Sequence, residues 1–456
     1  MVEMINYSVI QKSQLESMHR MDAEYYQPEY LDLEKKIYST SSYKLWGNIE
    51  GRFITGPFGS EFEVENYTSE TQYRYVRGKD VKEFFLRDDD NVYIPEKDYE
   101  RLKKYSLKEG DILISVVGTL GNAAIADSSV IPAIFSCKST VFRTESINPL
   151  YFIAYLNSLY GYKLLKRSVR GAVQTGLNID DLRSLPVFIP SQRVQESIAS
   201  SVLNAKQEHD KSKSLYSQAE VLLLEELGLK NFKLEEELSY IVNLSDIKLA
   251  HRTDAEYFQP KYERLIKNLG KDKQNLKLIA KRKTKKAEIL AENDYKYIEI
   301  SDVDVGSGEV TFNIVKGSNL PANAKMKIEG GELIVSKVRP TRGAVGIIPD
   351  DCDESFVASG AFSIFEVVSP TREYLQVILR SIVGGLQLEK PTTGTSYPTV
   401  TDEDIEELII PILSKSVQQK IADLVRQSQQ ARKKAKELLE KAKREVENSI
   451  ENNSRE

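Results

Sequence analysis

The sequence predicts an α/β fold in which two copies of one module, each a mixed sheet with helices, are separated by two long helices forming an antiparallel coiled coil. Three observations predict it. Sequence boxes recur in the same order in both halves of the 456-residue chain. Each half alternates short strand-like segments with glycine turns, which is typical of a curved sheet with long loops. A long stretch without proline or glycine then follows each half.

The internal repeat is the strongest signal in the chain. Residues 19–30 read HRMDAEYYQPEY and residues 251–262 read HRTDAEYFQPKY, identical at nine of twelve positions. A second box pairs GDILIS at 110–115 with GELIVS at 331–336, and a third pairs VQxxIA at 194–199 with VQxxIA at 417–422. Because the order is kept while the spacing drifts, the halves are two copies of one module whose loops have diverged.

Two long helices are predicted, over residues 191–228 and 414–456. Ser191 and Ser414 suit the N-cap position, and Gly228 can close the first helix in the left-handed conformation. Apolar and small residues recur along both at steps of four and three, which is a heptad-like pattern. The predicted interface residues are Val194, Ile198, Ala205, Leu215, Ala219, Val417, Ile421, Leu424, Ala431, Ala435, Leu438 and Ala442.

We expect these helices to pack on each other, because their apolar stripe is poor in large side chains and their net charges are opposite. The chain passes through the whole second module before the second helix begins, so the packing should be antiparallel. At about 1.5 Å per residue, some 35 residues make a spacer on the order of 50 Å. The alternative is that each helix docks on its own domain as an ordinary amphipathic helix.

Composition excludes several classes of protein. A hydrophobic content of 41% with 29% charged residues describes a soluble globular protein of two or three domains. The sequence has no membrane span, no secretory signal and only two cysteines, so a cytoplasmic location is expected. The net charge of −5 decides nothing about nucleic acid, since a basic stripe can be hidden in an acidic total.

Catalytic residues and metal ligands are not found in the sequence. It lacks a phosphate-binding loop, and GSG at 306–308 has no third glycine. His19 and His251 occupy the same position of the repeated box, which favours a structural role. Cys137 and Cys352 have no neighbouring cysteine with which to bind a metal. We therefore expect no cofactor on this chain.

Both modules follow one plan, from the repeated box and a short helix to a region of strands and turns, and then to an apolar strand before the long helix. The predicted strands lie at 73–77, 111–117 and 141–143 in the first module, and at 295–299, 332–338 and 361–367 in the second. Helices are predicted at 150–169 and 372–384. The resulting domains are 1–190 and 237–412, with the long helices at 191–236 and 413–456.

Basic, hydroxyl and amide side chains lie among glycines in the predicted loops of both modules. Lysine and arginine suit phosphates and guanine edges, other polar groups suit base edges, and glycine lets a backbone approach a duplex. The candidate DNA-binding residues are Ser60, Arg74, Arg77, Lys79, Thr119, Lys138, Gln174 and Thr175 in the first module, and Lys281, Lys283, Lys285, Lys337, Arg339, Arg342, Thr395 and Tyr397 in the second. Each alone is an ordinary surface residue, but basic loops recur at similar places in both copies.

Several motifs together resemble the specificity subunit of Type I restriction-modification enzymes. They are RxDAEY at 20–25, GPFGS at 56–60, GDILIS…GTxG at 110–121 and LxxLPVFIP…QxxI at 182–198, present twice or nearly so. The resemblance covers essentially the whole chain. It implies two target-recognition domains that each read one half of a bipartite DNA site, and two conserved helices that separate them and dock modification subunits.

The resemblance also implies the partners. They are double-stranded DNA, two modification subunits that bind S-adenosylmethionine and methylate adenine, and restriction subunits that use ATP, while this chain itself is no enzyme. The sequence departs from a strict repeat where KVRPTRG at 337–343 replaces VVGTLG at 116–121. The basic run at 281–286 also has no counterpart, so the two halves should read different bases.

Two other classes remain open. A nuclease or methyltransferase with degenerate motifs would modify DNA without partners. A coiled-coil adapter without sequence reading would bind all duplexes alike, even with partner subunits present.

Overall fold

The computed structural model of the protein describes residues 7–12, 15, 20–57, 61–62, 66–69, 71–170, 175–232, 237–368, 371–394 and 396–454. The chain forms two compact units. The first comprises residues 1–208 and 433–456, and the second comprises residues 209–432. Each unit contains one copy of the repeat and one segment of each long helix, so the division by compactness passes through both helices.

The helices begin where the sequence supplies caps. Pro28 and Pro260, from the repeated box, occupy the first turn of a helix, and Asn148 accepts hydrogen bonds from the backbone N–H groups of Leu150 and Tyr151. In chain order the α-helices are α1 Pro28–Tyr38, α2 Glu96–Arg101, α3 Pro149–Asn157, α4 Leu159–Arg167, α5 Ile179–Ser184, α6 Gln192–Glu226, α7 Leu244–Ala250, α8 Pro260–Asn268, α9 Thr371–Arg380, α10 Ile382–Glu389, α11 Asp402–Glu406 and α12 Lys415–Asn453.

The strands are short and lie between glycine-rich turns. They are β1 Tyr43–Leu45, β2 Arg52–Thr55, β3 Arg74–Val76, β4 Phe84–Phe85, β5 Ile112–Ser115, β6 Ala123–Ile125, β7 Ala133–Phe135, β8 Ser139–Arg143, β9 Pro186–Phe188, β10 Lys273–Asn275, β11 Lys281–Lys283, β12 Asp294–Ile298, β13 Asn313–Lys316, β14 Ala324–Lys327, β15 Leu333–Ser336, β16 Val345–Ile347, β17 Phe356–Ser359, β18 Phe362–Glu366 and β19 Ile409–Pro411. All six predicted strands are present; β8 is two residues longer than predicted, and the others are shortened or shifted by a few residues.

Four strands of the main sheet follow the same order in both units, which confirms that the repeat is one fold used twice; the first unit adds a fifth strand, β4, at the edge. The order is β2-β8-β5-β6-β4 in the first unit and β11-β18-β15-β16 in the second. The repeated GDILIS and GELIVS boxes form β5 and β15, whose residues are all buried between two neighbouring strands. These boxes are therefore central strands, which explains their apolar sequence.

A buried tyrosine ties the helix after the main sheet to the strand before the long helix in each unit. The hydroxyl of Tyr151 donates to the carbonyl of Phe188 over 2.7 Å. The hydroxyl of Tyr374 donates to the carbonyl of Pro411 over 2.8 Å. These two hydrogen bonds hold α3 against β9 and α9 against β19 in the same way.

The single helix predicted after the main sheet is in fact two helices in each unit, so that prediction was wrong. α3 ends and α4 begins around Ser158, and α9 ends and α10 begins around Ser381. Each serine hydroxyl donates to a carbonyl of the preceding helix and accepts from an N–H of the following one. Serine competes with the helical backbone in this way, and the periodicity of apolar residues does not reveal it.

The long helices run antiparallel within each unit. In the second unit the Ser212 and Ser428 hydroxyls lie 3.1 Å apart, and Ala219 shares a hydrophobic cluster with Ile421. In the first unit, Ile198 and Val202 of α6 share a cluster with Ala442, Val446 and Ile450 of α12. Residue numbers rise along one helix as they fall along the other. The predicted packing of the two helices on each other is therefore confirmed.

Candidate nucleic-acid interface

In the first unit, two loop segments meet at the end of the central strand. Residues 116–121 follow β5, and Leu177 donates its backbone N–H to the carbonyl of Val116 over 3.1 Å. Arg170 and Gly176 exchange two backbone hydrogen bonds of 2.9 and 2.8 Å. We call residues 116–121 together with residues 170–176, of which 170, 175 and 176 are described, the first loop pair.

The second unit repeats this arrangement. Residues 337–343 follow β15, and Val400 donates its N–H to the carbonyl of Lys337 over 3.0 Å. Thr393 and Thr399 exchange two backbone hydrogen bonds of 3.0 and 2.9 Å. Residues 337–343 and 393–399, all described except 395, form the second loop pair. In each unit, the loop that follows the central strand thus contacts the second segment of its loop pair. That second segment also contains residues predicted to bind DNA.

Further predicted segments adjoin the first loop pair. Val116 donates its N–H to the carbonyl of Lys138 over 3.0 Å, so the turn between β7 and β8 lies beside the loop. A Cβ on Gly56 would lie 2.5 Å from the carbonyl oxygen of Ser136, and one on Gly78 would lie 2.8 Å from Cβ of Lys138. Residues 56, 78, 116 and 138 therefore come together with close backbone approach.

The predicted residues of the first module fall into three groups. Lys79, Thr119, Lys138 and Thr175 are exposed. Lys79 forms a 2.7 Å ion pair with Asp90. Ser60 and Gln174 lie outside the described residues. The exposed residues stay candidates for contact with DNA.

Arg74 and Arg77 hold the first module together. Arg74 is only 5% exposed in β3, its guanidinium donates to the carbonyl of Arg87, and burial lowers its pKa. Arg77 forks onto Asp80 with hydrogen bonds of 3.0 Å. Arg74 is thus an interior residue, which corrects its assignment as a DNA contact, and Arg77 is largely engaged in its own turn.

The basic run of the second module divides into engaged and open lysines. The Nζ of Lys283 lies 3.5 to 3.7 Å from carboxylate oxygens of Glu329, Glu332 and Glu366. Burial lowers the pKa of Lys283, but the three carboxylates outweigh it and the net shift is upward. Lys285 is exposed, and in the described part of the chain it forms no ion pair. Lys283 is therefore held among three carboxylates in the folded chain, and its contact with DNA stays a prediction.

Lys281 is also exposed and borders a groove of about 450 Å³ along residues 277–284. Arg282 beside it is paired with Asp402 over 3.2 Å and with Glu406 over 3.1 Å. Lys337 shares Asp402 over 3.1 Å. The groove therefore adjoins the second loop pair through one carboxylate.

The half-buried Arg339 stacks on the exposed ring of Tyr397 in the second loop pair. The Arg339 guanidinium lies 4.5 Å from the centre of the Tyr397 ring and donates to the carbonyl of Ser396 over 3.1 Å. The Arg339 backbone is left-handed, with φ of 48°, and the Tyr397 side chain is 67% exposed. Arg342 is exposed nearby, whereas Thr395 lies outside the described residues.

The predicted coiled-coil positions point inward to different degrees. Ile198, Ala205, Ala219, Ile421, Ala431, Ala435 and Ala442 are buried, whereas Val194, Leu215, Val417, Leu424 and Leu438 are half-buried. The heptad pattern missed Val202 and Leu223 of α6 and Val446 and Ile450 of α12, which are all fully buried. These positions face the modules as well as the partner helix, since their clusters contain residues of both.

Sequence reasoning also missed Arg20 and Arg252. Each forks onto the aspartate two residues on, Asp22 or Asp254, and donates to two backbone carbonyls next to a loop pair. The signal was their identity in the repeated box. The repeat alone does not show which groups the arginines bind.

The described ranges contain neither a membrane-spanning helix nor a metal-binding cluster. No helix there is long and apolar enough to cross a membrane. Nor do three His, Cys, Asp or Glu side chains in those ranges stand where they would hold a metal ion.

Comparison with known proteins gives one family. The Type I restriction modification DNA specificity domain matches residues 56–211 and 273–444. The Type I restriction enzyme HindI specificity subunit of Haemophilus influenzae is 26% identical over 133 residues, which is 27% of this chain and 29% of that protein. The match thus spans under a third of the curated relative.

Two solved structures are also similar to this chain over most of its length. The S subunit of a Type I restriction-modification system from M. genitalium shows 15% identity and a TM-score of 0.41 over 91% of this chain and 95% of that one. The HsdS subunit from Thermoanaerobacter tengcongensis shows 12% identity and a TM-score of 0.27 over 90% and 96%.

Proposed function

The chain belongs to the family of the Type I restriction modification DNA specificity domain, and on that premise we propose that it is the DNA-recognition subunit of a Type I restriction-modification complex. Each unit reads one half of a bipartite target, and the long helices set the spacing between the halves. The reading surface of each unit is its loop pair with the adjoining exposed cations.

The observation that carries this proposal is the duplication of the loop pair with different side chains. The backbone hydrogen bonds recur at equivalent positions, but Gly118 of the first pair stands where the second pair has Arg339, and the second pair also carries Tyr397. One backbone frame with variable polar side chains is what reading two different sequences requires. A protein that only joined partners would need no such pair of frames.

We further propose that the chain does no chemistry alone. Two modification subunits dock on the long helices, bind S-adenosylmethionine and methylate adenine, and restriction subunits use ATP. The chain itself holds no cofactor and acts in the cytoplasm beside the DNA. Methyl transfer to DNA by the purified chain without partners would contradict this.

The test is a genome-wide map of methylated adenines in cells with and without the gene. We expect one bipartite motif with a fixed gap to lose its methylation when the gene is deleted and to regain it on complementation. Unchanged methylation in the deletion strain would contradict the proposal. A complex that assembles with modification subunits but binds all duplexes equally would instead indicate an adapter.

A further inference from the structure

The repeated box places the same arginine–aspartate pair beside both loop pairs. In the first unit, Arg20 donates to Asp22 over 2.9 and 2.5 Å and to the carbonyls of Ser168 and Val169 over 3.2 and 3.1 Å. Val169 directly precedes Arg170, at which the first loop pair begins its second segment. One guanidinium thus joins the repeated box to the base of that segment.

The second unit contains the same four bonds. Arg252 donates to Asp254 over 2.8 and 2.6 Å, and to the carbonyls of Pro391 and Thr392 over 2.9 and 3.2 Å. Thr392 directly precedes Thr393. The carbonyl pairs 168–169 and 391–392 are separated by 223 residues. The arginine, its aspartate and the two carbonyls, which together we call the clamp, are thus repeated atom for atom.

The surroundings of both arginines favour a fixed geometry. The side chain of Arg20 is 4% exposed and that of Arg252 is 22% exposed. Each guanidinium also lies over a tyrosine of the box, at 4.4 Å from the ring centre of Tyr25 and 4.6 Å from that of Tyr257. A planar group held by a carboxylate, two carbonyls and a ring has little freedom to rotate.

The clamp acts on the backbone and leaves the loop side chains open. The carbonyls that accept from Arg252 lie before Thr393, whose bonds with Thr399 close the segment that contains Tyr397. Pro398 in that segment accepts from the N–H of Arg339 over 2.7 Å. Hydrogen bonds, joined by single steps along the backbone, therefore connect Arg252 with the Arg339 backbone.

We propose that Arg20 and Arg252 are positioning residues for recognition of the two half-sites, each fixing the loop pair of its own unit without touching DNA. This inference rests on the proposed function. The repeated box then serves to orient the reading loops, which explains why it recurs while the loops themselves differ.

The experiment uses the full chain assembled with its modification subunits and three duplexes. One duplex carries the complete target found by methylation mapping, and each of the others has one half-site replaced. For Arg252→Ala we expect the ratio of affinities for correct and replaced second half-sites to fall about tenfold or more. The ratio for the first half-site should stay within about twofold. Arg20→Ala should give the reciprocal pattern.

The control is Lys267→Ala, an exposed substitution on α8 in the same unit, which should change neither ratio. Arg252→Lys keeps the charge but not the fork, so its ratio should lie between those of wild type and Arg252→Ala. If Arg252→Ala does not fold, Asp254→Asn removes one carboxylate and should lower the same ratio by a smaller factor.

The outcomes separate the two proposals. A wild-type complex that binds all three duplexes alike contradicts the proposed function, and the clamp falls with it. A discriminating wild type, with both ratios unchanged or equally lowered in Arg252→Ala or Asp254→Asn, contradicts the clamp alone. A merely structural role lowers the thermal midpoint and the total affinity but leaves the ratios intact.

Discussion

Arg339 adopts a left-handed backbone conformation that costs free energy, and such strain indicates that the residue has a functional role. A left-handed residue other than glycine costs about 1–2 kcal/mol, and here Arg339 leads directly into Pro340. We predict that Arg339→Ala relaxes discrimination at one base pair by about 1–3 kcal/mol if the guanidinium forks onto a guanine. Competition among duplexes that differ at single positions measures it. Arg342→Ala is the parallel test.

Arg339→Gly separates the side chain from the backbone. The Arg339→Gly variant should lose the same discrimination among duplexes. Its free energy of unfolding should be about 1 kcal/mol higher than that of Arg339→Ala, because glycine accepts the left-handed conformation. Thermal unfolding of both variants measures the difference. Equal stability of the two variants, or a uniform loss of affinity for every sequence, would contradict this account.

Lys283 and Lys285 lie in one basic run but should behave differently. Lys283→Ala leaves the buried carboxylate of Glu332 without its cation and should cost about 1–3 kcal/mol of unfolding free energy. Lys285→Ala should change stability by under about 0.5 kcal/mol, but should weaken binding to all DNA sequences alike and flatten the salt dependence. Chemical denaturation and salt titration of both variants give the two readouts.

The cost of Lys283→Ala should depend on pH. Burial raises the pKa of Glu332 above its ordinary value of 4.5, so the folded protein holds this proton more tightly than the unfolded chain. Stability therefore falls as pH rises from about 4.5 through the raised pKa, and loss of the lysine steepens the fall. The variant should approach wild-type stability near pH 4.5. A pH-independent difference would show that Glu332 is not responsible.

For single residues, the sequence predicted which side chains could bind DNA but not which of them are buried. Thr119, Lys138 and Tyr397 are exposed beside glycines, as loop composition predicts. Arg74 was misassigned because a lone arginine in a strand reads the same whether it faces solvent or packs inside. The ion pairs of Lys283 were not predicted, because its three carboxylates come from distant parts of the chain that local sequence does not bring together.

The break between α3 and α4, repeated between α9 and α10, depends on one glycine in each unit. A Cβ on Gly161 would lie 2.1 Å from the carbonyl oxygen of Tyr155, and one on Gly384 would lie 2.4 Å from backbone atoms of Leu379. We predict that either Gly→Ala change destabilises the protein by about 1–3 kcal/mol or more, since backbone must move. Thermal unfolding measures the loss.

Gly385 is the matched control for Gly384. It lies in the same helix, and a Cβ there would have no atom outside its own helix within 4 Å. Gly385→Ala should stabilise the protein by about 0.5–1 kcal/mol through reduced backbone entropy of the unfolded chain. If Gly384→Ala were equally stabilising, the break would not depend on close packing.

The serine pair between the long helices should show strong coupling. Ser428 donates to the backbone carbonyl of Ser212 over 2.7 Å, its oxygen accepts from the Ser212 hydroxyl over 3.1 Å, and both side chains are fully or almost fully buried. Ser428→Ala alone should cost about 1 kcal/mol, and a double-mutant cycle with Ser212→Ala should give a coupling free energy of about 0.5–1.5 kcal/mol. Additive effects in chemical denaturation would mean that each serine acts independently.

The elements themselves were largely predictable. Strands β5 and β15 and helices α6 and α12 follow from apolar periodicity and caps, because such signals are local. The contact between the two segments of each loop pair was not predicted. It rests on backbone hydrogen bonds such as those of Thr393 and Thr399, which almost any side chain allows.

For the whole molecule, helix length should control the gap between half-sites. One heptad inserted into both α6 and α12 lengthens each by about 10 Å, which equals about three base pairs of B-DNA rise. We predict that methylation mapping of the variant finds unchanged half-sites with a longer gap. A heptad inserted into α6 alone is the control and should disrupt assembly. An unchanged gap in the double insertion would contradict a ruler function.

The limits of the two compact units have a consequence for inheritance. The second unit is one uninterrupted stretch of gene, codons 209–432, whose ends lie inside α6 and α12. A recombination event that replaces this stretch transfers one folded reader with both of its helix segments. Crossovers at the C-terminal end of α6 and the N-terminal end of α12 would separate those helix segments from the core against which Leu223 and Ile421 pack. The points at which the gene can be cut and rejoined therefore lie in the most regular parts of the protein.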